Sequence, residues 1–330
     1  MPFRPLLLIS ALFLTTTGIL HATLDVIDVT TTIVPGSPSN AEGYTFEGGV
    51  RQVTSFSTAT DTYEVTSGAD NVFIRRNAVN NDQSSVWYVS SGVGTNLSGI
   101  HQTDYAQLLS SNNIFAGSDN TFANGTGNTT GNIERIDFTW NLPMTVTNAL
   151  AFAVFDRGDT GVHDSFAIAA VTAVDAFGNP TAYGPLIKIA AGWGGATNPI
   201  SGQDYRLFRY ANGNNITATT DSTATANQGI GGIVITAADL GLTLGTNVYG
   251  YSLMAVDVTA TDSTQLLDWS NSVFYPTTTD GNTGGGGIDL AAINGNSFTV
   301  VPEPVPNAIL LSFVLLVSFC HWTQQRRARF

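Results

Sequence analysis

The chain has 330 residues, with 12 basic and 25 acidic side chains, a net charge of −13 and a single cysteine. Arg4, Arg326, Arg327 and Arg329 lie near the two ends and every acid lies between Asp25 and Glu303, so that span carries eight bases against 25 acids, a charge of −17. This excludes nucleic acid as a partner, which needs a basic face, and with Cys320 confined to the C-terminal apolar run it leaves the body no disulfide, thiol nucleophile or thiolate metal site.

The N-terminus places Arg4 before an apolar run, Leu6 to Leu14, and ends this region on Leu20-His21-Ala22. A positive start, a short apolar stretch and a small residue predict a secretory signal helix over 1–22, cleaved after Ala22 by signal peptidase. The apolar run is short for a membrane span, which needs roughly 20 residues.

The body, 23–300, is rich in Thr, Asn, Ser, Gly, Val and Ile and poor in Lys and Glu, a composition of strands rather than helices. Predicted strands are 26–34, 71–74, 86–89, 133–140, 149–155, 165–174, 186–190, 206–210, 232–236 and 248–258. In 133–140 the alternation puts Ile136, Phe138 and Trp140 on one face, whereas 149–155 and 165–174 read as central strands. A couple of helical turns are expected at 103–109, and one capped turn at 236–241 ending on Gly241. Strands of this spacing between Gly, Asn and Asp turns predict an all-β fold, an antiparallel β-sandwich with long polar loops. The Asn/Gly/Thr tract 120–132 is the best internal boundary, within what is read as one continuous unit. Residues 280–287 read as a flexible tract, with Ile288-Asp289-Leu290 adding one last strand. About 280 residues bury roughly three quarters of their unfolded surface, enough for a core without crosslinks.

After Val301-Pro302-Glu303-Pro304 comes an apolar run, 305–322, and then Arg326, Arg327 and Arg329. At about 1.5 Å per residue the run makes roughly 27 Å of helix, enough for one transmembrane helix. The arginines then stay in the cytoplasm, so the body lies across the membrane, in agreement with the signal. This tail, 301–330, resembles the PEP-CTERM sorting signal of Gram-negative bacteria that make an exopolysaccharide matrix. The resemblance covers about the last 30 residues. It implies recognition and removal of the tail by the membrane protease-transpeptidase exosortase, and delivery to the cell surface or extracellular matrix. Cys320-His321-Trp322 within the span and Gln324-Gln325 before the arginines depart from the pattern.

Three body segments, Arg135–Phe138, Val154–Asp159 with Asp164–Ala170, and Asp268–Asn271 with Tyr275–Thr279, are similar to segments of β-rich ectodomains in adhesin-like secreted proteins. No catalytic motif comes with that similarity, and a fold does not give a function. No Gly-x-Ser-x-Gly or His-Glu-x-x-His motif occurs. A hydrolase therefore ranks behind two other readings: a non-enzymatic surface or matrix structural protein, and a carbohydrate-binding or Ca²⁺-dependent adhesive module. The loop between two apolar strands supplies Asp156, Asp159 and Asp164 as hard oxygen ligands for Ca²⁺, the alternative being a solvated turn in which Arg157 pairs with a carboxylate. Trp87, Tyr88, Trp193 and Trp269 are candidates for stacking on exopolysaccharide or surface glycans, the alternative being that they fill the core.

Overall fold

The computed structural model describes residues 24–34, 50–77, 85–89, 105–124, 132–159, 161, 163–194, 198–212, 215–279 and 286–302. The predicted signal helix, the membrane helix 305–322 and most of the sorting tail lie outside the described residues. Among the described residues no helix is long and apolar enough to cross a membrane.

The chain is mostly antiparallel strands. In order they are β1 (Leu24–Asp25), β2 (Asp28–Val34), β3 (Val50–Ser57), β4 (Thr62–Gly68), β5 (Asn71–Arg76) and β6 (Ser85–Val89). A short helix α1 (Tyr105–Leu109) precedes β7 (Ala116–Asp119), β8 (Ile133–Thr145), β9 (Leu150–Gly158), β10 (Phe166–Val174) and β11 (Pro180–Ile189). There follow β12 (Ile200–Asn212), β13 (Asn215–Thr236), β14 (Asn247–Met254), a second short helix α2 (Ser263–Leu267) and β15 (Asn296–Val301). The large sheet runs β2-β3-β4-β15-β9-β13-β12-β6-β7, with β1 beside β13, and the small sheet runs β11-β10-β14-β8-β5.

Alternation along the strands decides where the core sits. Phe152 and Val154 of β9 join Ile136, Phe138 and Trp140 of β8 and Ile168 of β10 in a core shared by the two sheets. The intervening Ala151, Ala153 and Phe155 face the other side of the large sheet, where they meet Trp87, Tyr205, Ile230 and Val234. Because β9 is buried on both faces, its apolar side chains run continuously instead of alternating with polar ones.

The second face of the large sheet is covered because the sheet curls back on itself. Residues 288–292 bond to β7 through Ser118 N to Leu290 O (2.8 Å) and Ala292 N to Ala116 O (2.8 Å). They bond to β9 through Arg157 N to Asp289 O (3.1 Å) and Ala291 N to Phe155 O (3.0 Å). A ring of backbone hydrogen bonds thus runs β9-β13-β12-β6-β7-(288–292)-β9, which leaves β7 with no open edge. The expected last strand at 288–290 is this two-sided bridge, and the last strand of the sheet is β15. The bridge passes so close to β7 that a Cβ at Gly117 would stand 2.0 Å from Leu290 O and 2.7 Å from the Trp87 ring.

The predicted strands all fall on observed ones, and the helical turns at 103–109 and 236–241 form as α1 and a turn ending on Gly241 at φ 66°. Five strands were not anticipated, β1, β3, β4, β7 and β15, and the predicted 248–258 stops at Met254. From Ala255 the chain leaves the sheet and crosses the outer face of β8 and β10, where Val258, Leu266 and Tyr275 pack on Ala167, Ala169 and Met254.

The close approach at Gly117 makes a test of ring closure. Gly117→Ala is expected to destabilise the body by about 1–3 kcal/mol through overpacking, read as a lower urea midpoint with an unchanged slope.

Candidate functional site

The acidic segment singled out in the sequence ends β9 and connects it to β10. Side chains alternate on a strand, so Asp156 enters the space between the sheets while Arg157 enters the ring. Asp156 is fully buried. Its Oδ1 accepts from Asp289 N (2.7 Å), and its Oδ2 accepts from Asp164 N (3.2 Å) and from His163 Nδ1 (3.2 Å). The other imidazole nitrogen, Nε2, lies 2.8 Å from Asn198 Oδ1. The Asn198 amide is oriented by its Nδ2, which donates to Gly158 O at 3.0 Å.

With a carboxylate oxygen at one ring nitrogen and an amide oxygen at the other, both nitrogens must donate, so His163 is held as an imidazolium. Burial works to lower its pKa. The hydrogen bond and charge of Asp156, with help from Asn198 and Asp164, outweigh burial and leave the pKa above the usual 6.5. Trp193 stacks on the ring at 4.9 Å and donates from Nε1 to Asp164 O at 2.7 Å. The cation fits because glycines surround it. A Cβ at Gly231 would stand 2.0 Å from Nε2, and one at Gly194 2.3 Å from Cδ2. Burial, reinforced by the Asp156 charge and opposed by His163, pushes the Asp164 carboxyl up to about 6.

Arg157 is the corresponding group inside the ring. It donates to Asp119 Oδ1 (2.8 Å), Asp289 Oδ2 (2.5 Å) and Gln228 Oε1 (2.9 Å). Its guanidinium lies 3.5 Å from the centroid of Tyr205 and 5.3 Å from that of Trp87, a stacking geometry that suits a planar cation. Burial raises the Asp289 carboxyl well above the carboxylate range; Arg157 pulls it back, and Asp119 and Asp156 push it further up. Since Asp289 N also bonds to Asp156, one residue of the bridge ties the two clusters on opposite faces of β9 together.

A third buried cluster lies on the outer face of the small sheet. Asp137 Oδ1 accepts from Arg135 Nε (2.6 Å), Ser252 Oγ (2.7 Å) and Tyr183 Oη (3.1 Å), and Oδ2 from Arg75 Nε (2.8 Å). Burial alone would raise this carboxyl, but Arg135 and Arg75 hold it below the usual range. Arg135 Nη1 and Tyr275 Oη both donate to Leu266 O, fastening the crossing segment to β8.

These arrangements overturn the exposed aromatic platform expected for glycans. Trp87, Tyr88 and Trp193 are buried (0%, 2% and 6% exposed), so their rings offer no face to a sugar, and Trp269 is half-buried against the outer cluster. Trp87 and Tyr88 lie on β6, every residue of which is buried, and Trp193 follows β11 and stacks on His163, so all three fill the interior, the commoner use of a large apolar side chain. The three carboxylates expected around Ca²⁺ are not brought together as a donor set. Asp156 is buried with both oxygens engaged, Asp159 is exposed and Asp164 is half-buried beside Trp193. Among the described residues no group of three or more acidic, His or Cys side chains is placed to hold a metal ion. The expected pairing of Arg157 with a carboxylate does occur, inside the fold and not in a solvated turn.

Sequence reasoning missed Asp119, Asp289 and Asn198, which lie far apart in the chain. The one local signal was Gly229-Ile230-Gly231-Gly232, where small residues clear space for Asn198, His163 and Phe155. Of the sorting motif, Val301 is the last residue of β15 and Pro302 is exposed. Glu303, Pro304, Arg326, Arg327 and Arg329 lie outside the described residues. Compared with protein-family models, curated proteins and solved structures, the chain finds no match.

The raised groups set a pH dependence. His163 stands above its unfolded value, so its contribution is fully present below pH 6.5 and is lost as pH rises through the folded value. Asp164, raised to about 6, and Glu134, which burial raises to about 8, act in the same direction. Asp137 is depressed, so its contribution is lost as pH falls below the carboxylate range. Thermal unfolding is therefore expected to peak at mildly acidic pH and to decline towards pH 9, and Glu134→Gln is expected to flatten the alkaline part of that decline. With Asp156 fully engaged, millimolar Ca²⁺ or EDTA is expected to leave the melting temperature unchanged, which calorimetry reads directly.

Proposed function

We propose that the chain is a non-enzymatic structural component of the surface or exopolysaccharide matrix of a Gram-negative bacterium. In this reading it is exported by its N-terminal signal and sorted by exosortase through the tail that begins Val301-Pro302-Glu303-Pro304. The observation that carries the non-enzymatic part is the state of His163. It is the one histidine among the described residues, and it is buried with one ring nitrogen against Asp156 and the other against Asn198, so neither is presented to a substrate or a metal ion. The strong cations and carboxylates beside it are likewise hydrogen-bonded to one another. Side chains so engaged hold strands together.

The position of the tail supports the sorting part. Val301 pairs with Thr62 and Val300 with Tyr63, and the exposed Pro302 follows the last paired residue. Removal of everything beyond Pro302 would therefore leave the sheet complete. The acidic body suits a soluble product in a hydrated matrix.

The test is fractionation of a producing strain with and without exosortase. The wild-type chain is expected in the extracellular fraction, with an intact mass lacking the apolar run. Loss of exosortase, or alanine at Pro302, Glu303 and Pro304 together, is expected to retain the full-length form in the membrane. Identical distribution and mass in all three cases would reject the sorting reading. Turnover of a polysaccharide or peptide substrate by the purified body would reject the non-enzymatic one.

A further inference from the structure

The hydrogen bonds around β15 define the end of the body from which the tail leaves. Val301 pairs with Thr62, Thr62 with Ser57, and Ser57 O accepts from Ile27 N at 2.8 Å. On the other flank Val300 N donates to Ala149 O at 3.0 Å, and Val146, at the start of the same β8–β9 connection, accepts from Gly245 N at 2.9 Å. Ile27, the Ser57–Thr62 turn, Val146–Ala149 and Leu244 therefore share one end with Pro302. Leu142, on the exposed last stretch of β8, lies away from it, because Asn141 N donates to Asp70 Oδ2 at 2.7 Å just past Gly68, the end of β4 opposite Thr62.

Two exposed aliphatic side chains lie at the Pro302 end, Ile27 at 53% and Leu244 at 57%. The other large apolar side chains exposed among the described residues lie elsewhere. Ile33 is at the far end of β2, about 20 Å away at 3.3 Å per residue. Phe177 is in the β10–β11 turn, and Val273 is in the segment crossing the small sheet. The charged groups at the tail end are carboxylates, among them Asp28, Asp61 and Asp239, and no described Lys or Arg falls on it.

The tether decides what this end meets. Only Glu303 and Pro304 separate Pro302 from the apolar run 305–322. At no more than about 3.5 Å per residue, the run begins within roughly 10 Å of the sheet. We propose that, while the tail is in the bilayer, this end of the body rests on the membrane, with Ile27 and Leu244 against the headgroup layer of a zwitterionic leaflet. The inference rests on the membrane reading of the tail given above. A leaflet rich in anionic lipid would repel the carboxylates of this end, so the contact is apolar and not electrostatic.

The experiment uses the full chain with Cys320→Ser, reconstituted in phosphatidylcholine vesicles carrying nitroxide-labelled lipid. A fluorophore is placed through Ile27→Cys, Leu142→Cys, Leu244→Cys, Ile33→Cys or Val273→Cys, all at exposed positions. Quenching is expected to be several-fold stronger at 27 and 244 than at 33, 142 and 273, and weaker in anionic vesicles. Equal quenching at all five positions, stronger quenching at 33, 142 or 273, or none anywhere while added protease cannot remove the tail, overturns the proposal. A tail that protease removes from the vesicles is not inserted. That result rejects the membrane reading itself, and the proposal falls with it.

Discussion

Burying β9 on both faces is the constraint from which the rest of the large sheet follows. A strand with core on each side leaves its last two polar side chains no route to water, and Asp156 and Arg157 are carried inward on opposite faces. A buried charge without a partner costs several kcal/mol, so each must be matched where it lies. Asp156 is matched by the His163 cation and by two backbone N–H groups, and Arg157 by Asp119 and Asp289. Meeting both requirements at once fixes the path of 288–292, because Asp289 serves Arg157 with its carboxylate and Asp156 with its amide. The closure of the ring and the neutralisation of β9 are thus one event.

On the export reading, this arrangement stands where a body of this size could have used disulfides. Its partners are distant in sequence: Arg157 reaches Asp289 across 132 residues, and Arg135 reaches the Leu266 carbonyl across 131. Buried ion pairs add little net stability relative to well-packed apolar side chains, but removing one partner is strongly destabilising. Their contribution here is to select a pairing. A slipped register of β9 against β13 would exchange the faces of Asp156 and Arg157, which strands the imidazolium and the guanidinium together and leaves the carboxylates unmatched. The glycines opposite His163 act in the same sense, since only that register leaves the ring its space.

The strands that could be read in the sequence were those whose apolar content rises above their neighbours, such as β9, β10 and the first half of β8. The ones that escaped notice have a physical reason in common. β3 and β4 read Val-Arg-Gln-Val-Thr-Ser-Phe-Ser and Thr-Tyr-Glu-Val-Thr-Ser-Gly, with one buried side chain for each polar one or fewer. They lie towards an edge of the sheet, where one face meets solvent. β7, Ala-Gly-Ser-Asp, is a strand because Gly117 admits the bridge and Asp119 admits Arg157, and neither cause is local. The acidic turn was legible as a site of unusual chemistry but not as a buried one. The burial of His163 depends on Gly194, Asn198 and Gly231, and no local pattern announces that these residues converge. The tryptophans were misplaced because what covers them is distant in sequence: Ser118 and Arg157 for Trp87, His163 and Phe166 for Trp193.

β15 carries the relation between fold and tail further. It lies inside the large sheet, between β4 and β9, and its Phe298 packs edge-on against Phe56 at 4.8 Å. A sheet whose interior strand is supplied by residues 296–301 cannot be completed before those residues are on the same side of the membrane as the rest. On the export reading the chain emerges N-terminus first, so β4 and β9 wait with an open slot between them until the tail itself is entering the membrane. Pairings so distant in sequence are slow to form, and a tail that stops in the bilayer would hold the last strand beside its slot while they do. On that reading anchoring serves folding as well as sorting, and the same short connection that would bring the body down to the membrane places Val301 at the end of a finished strand before anything beyond Pro302 is removed.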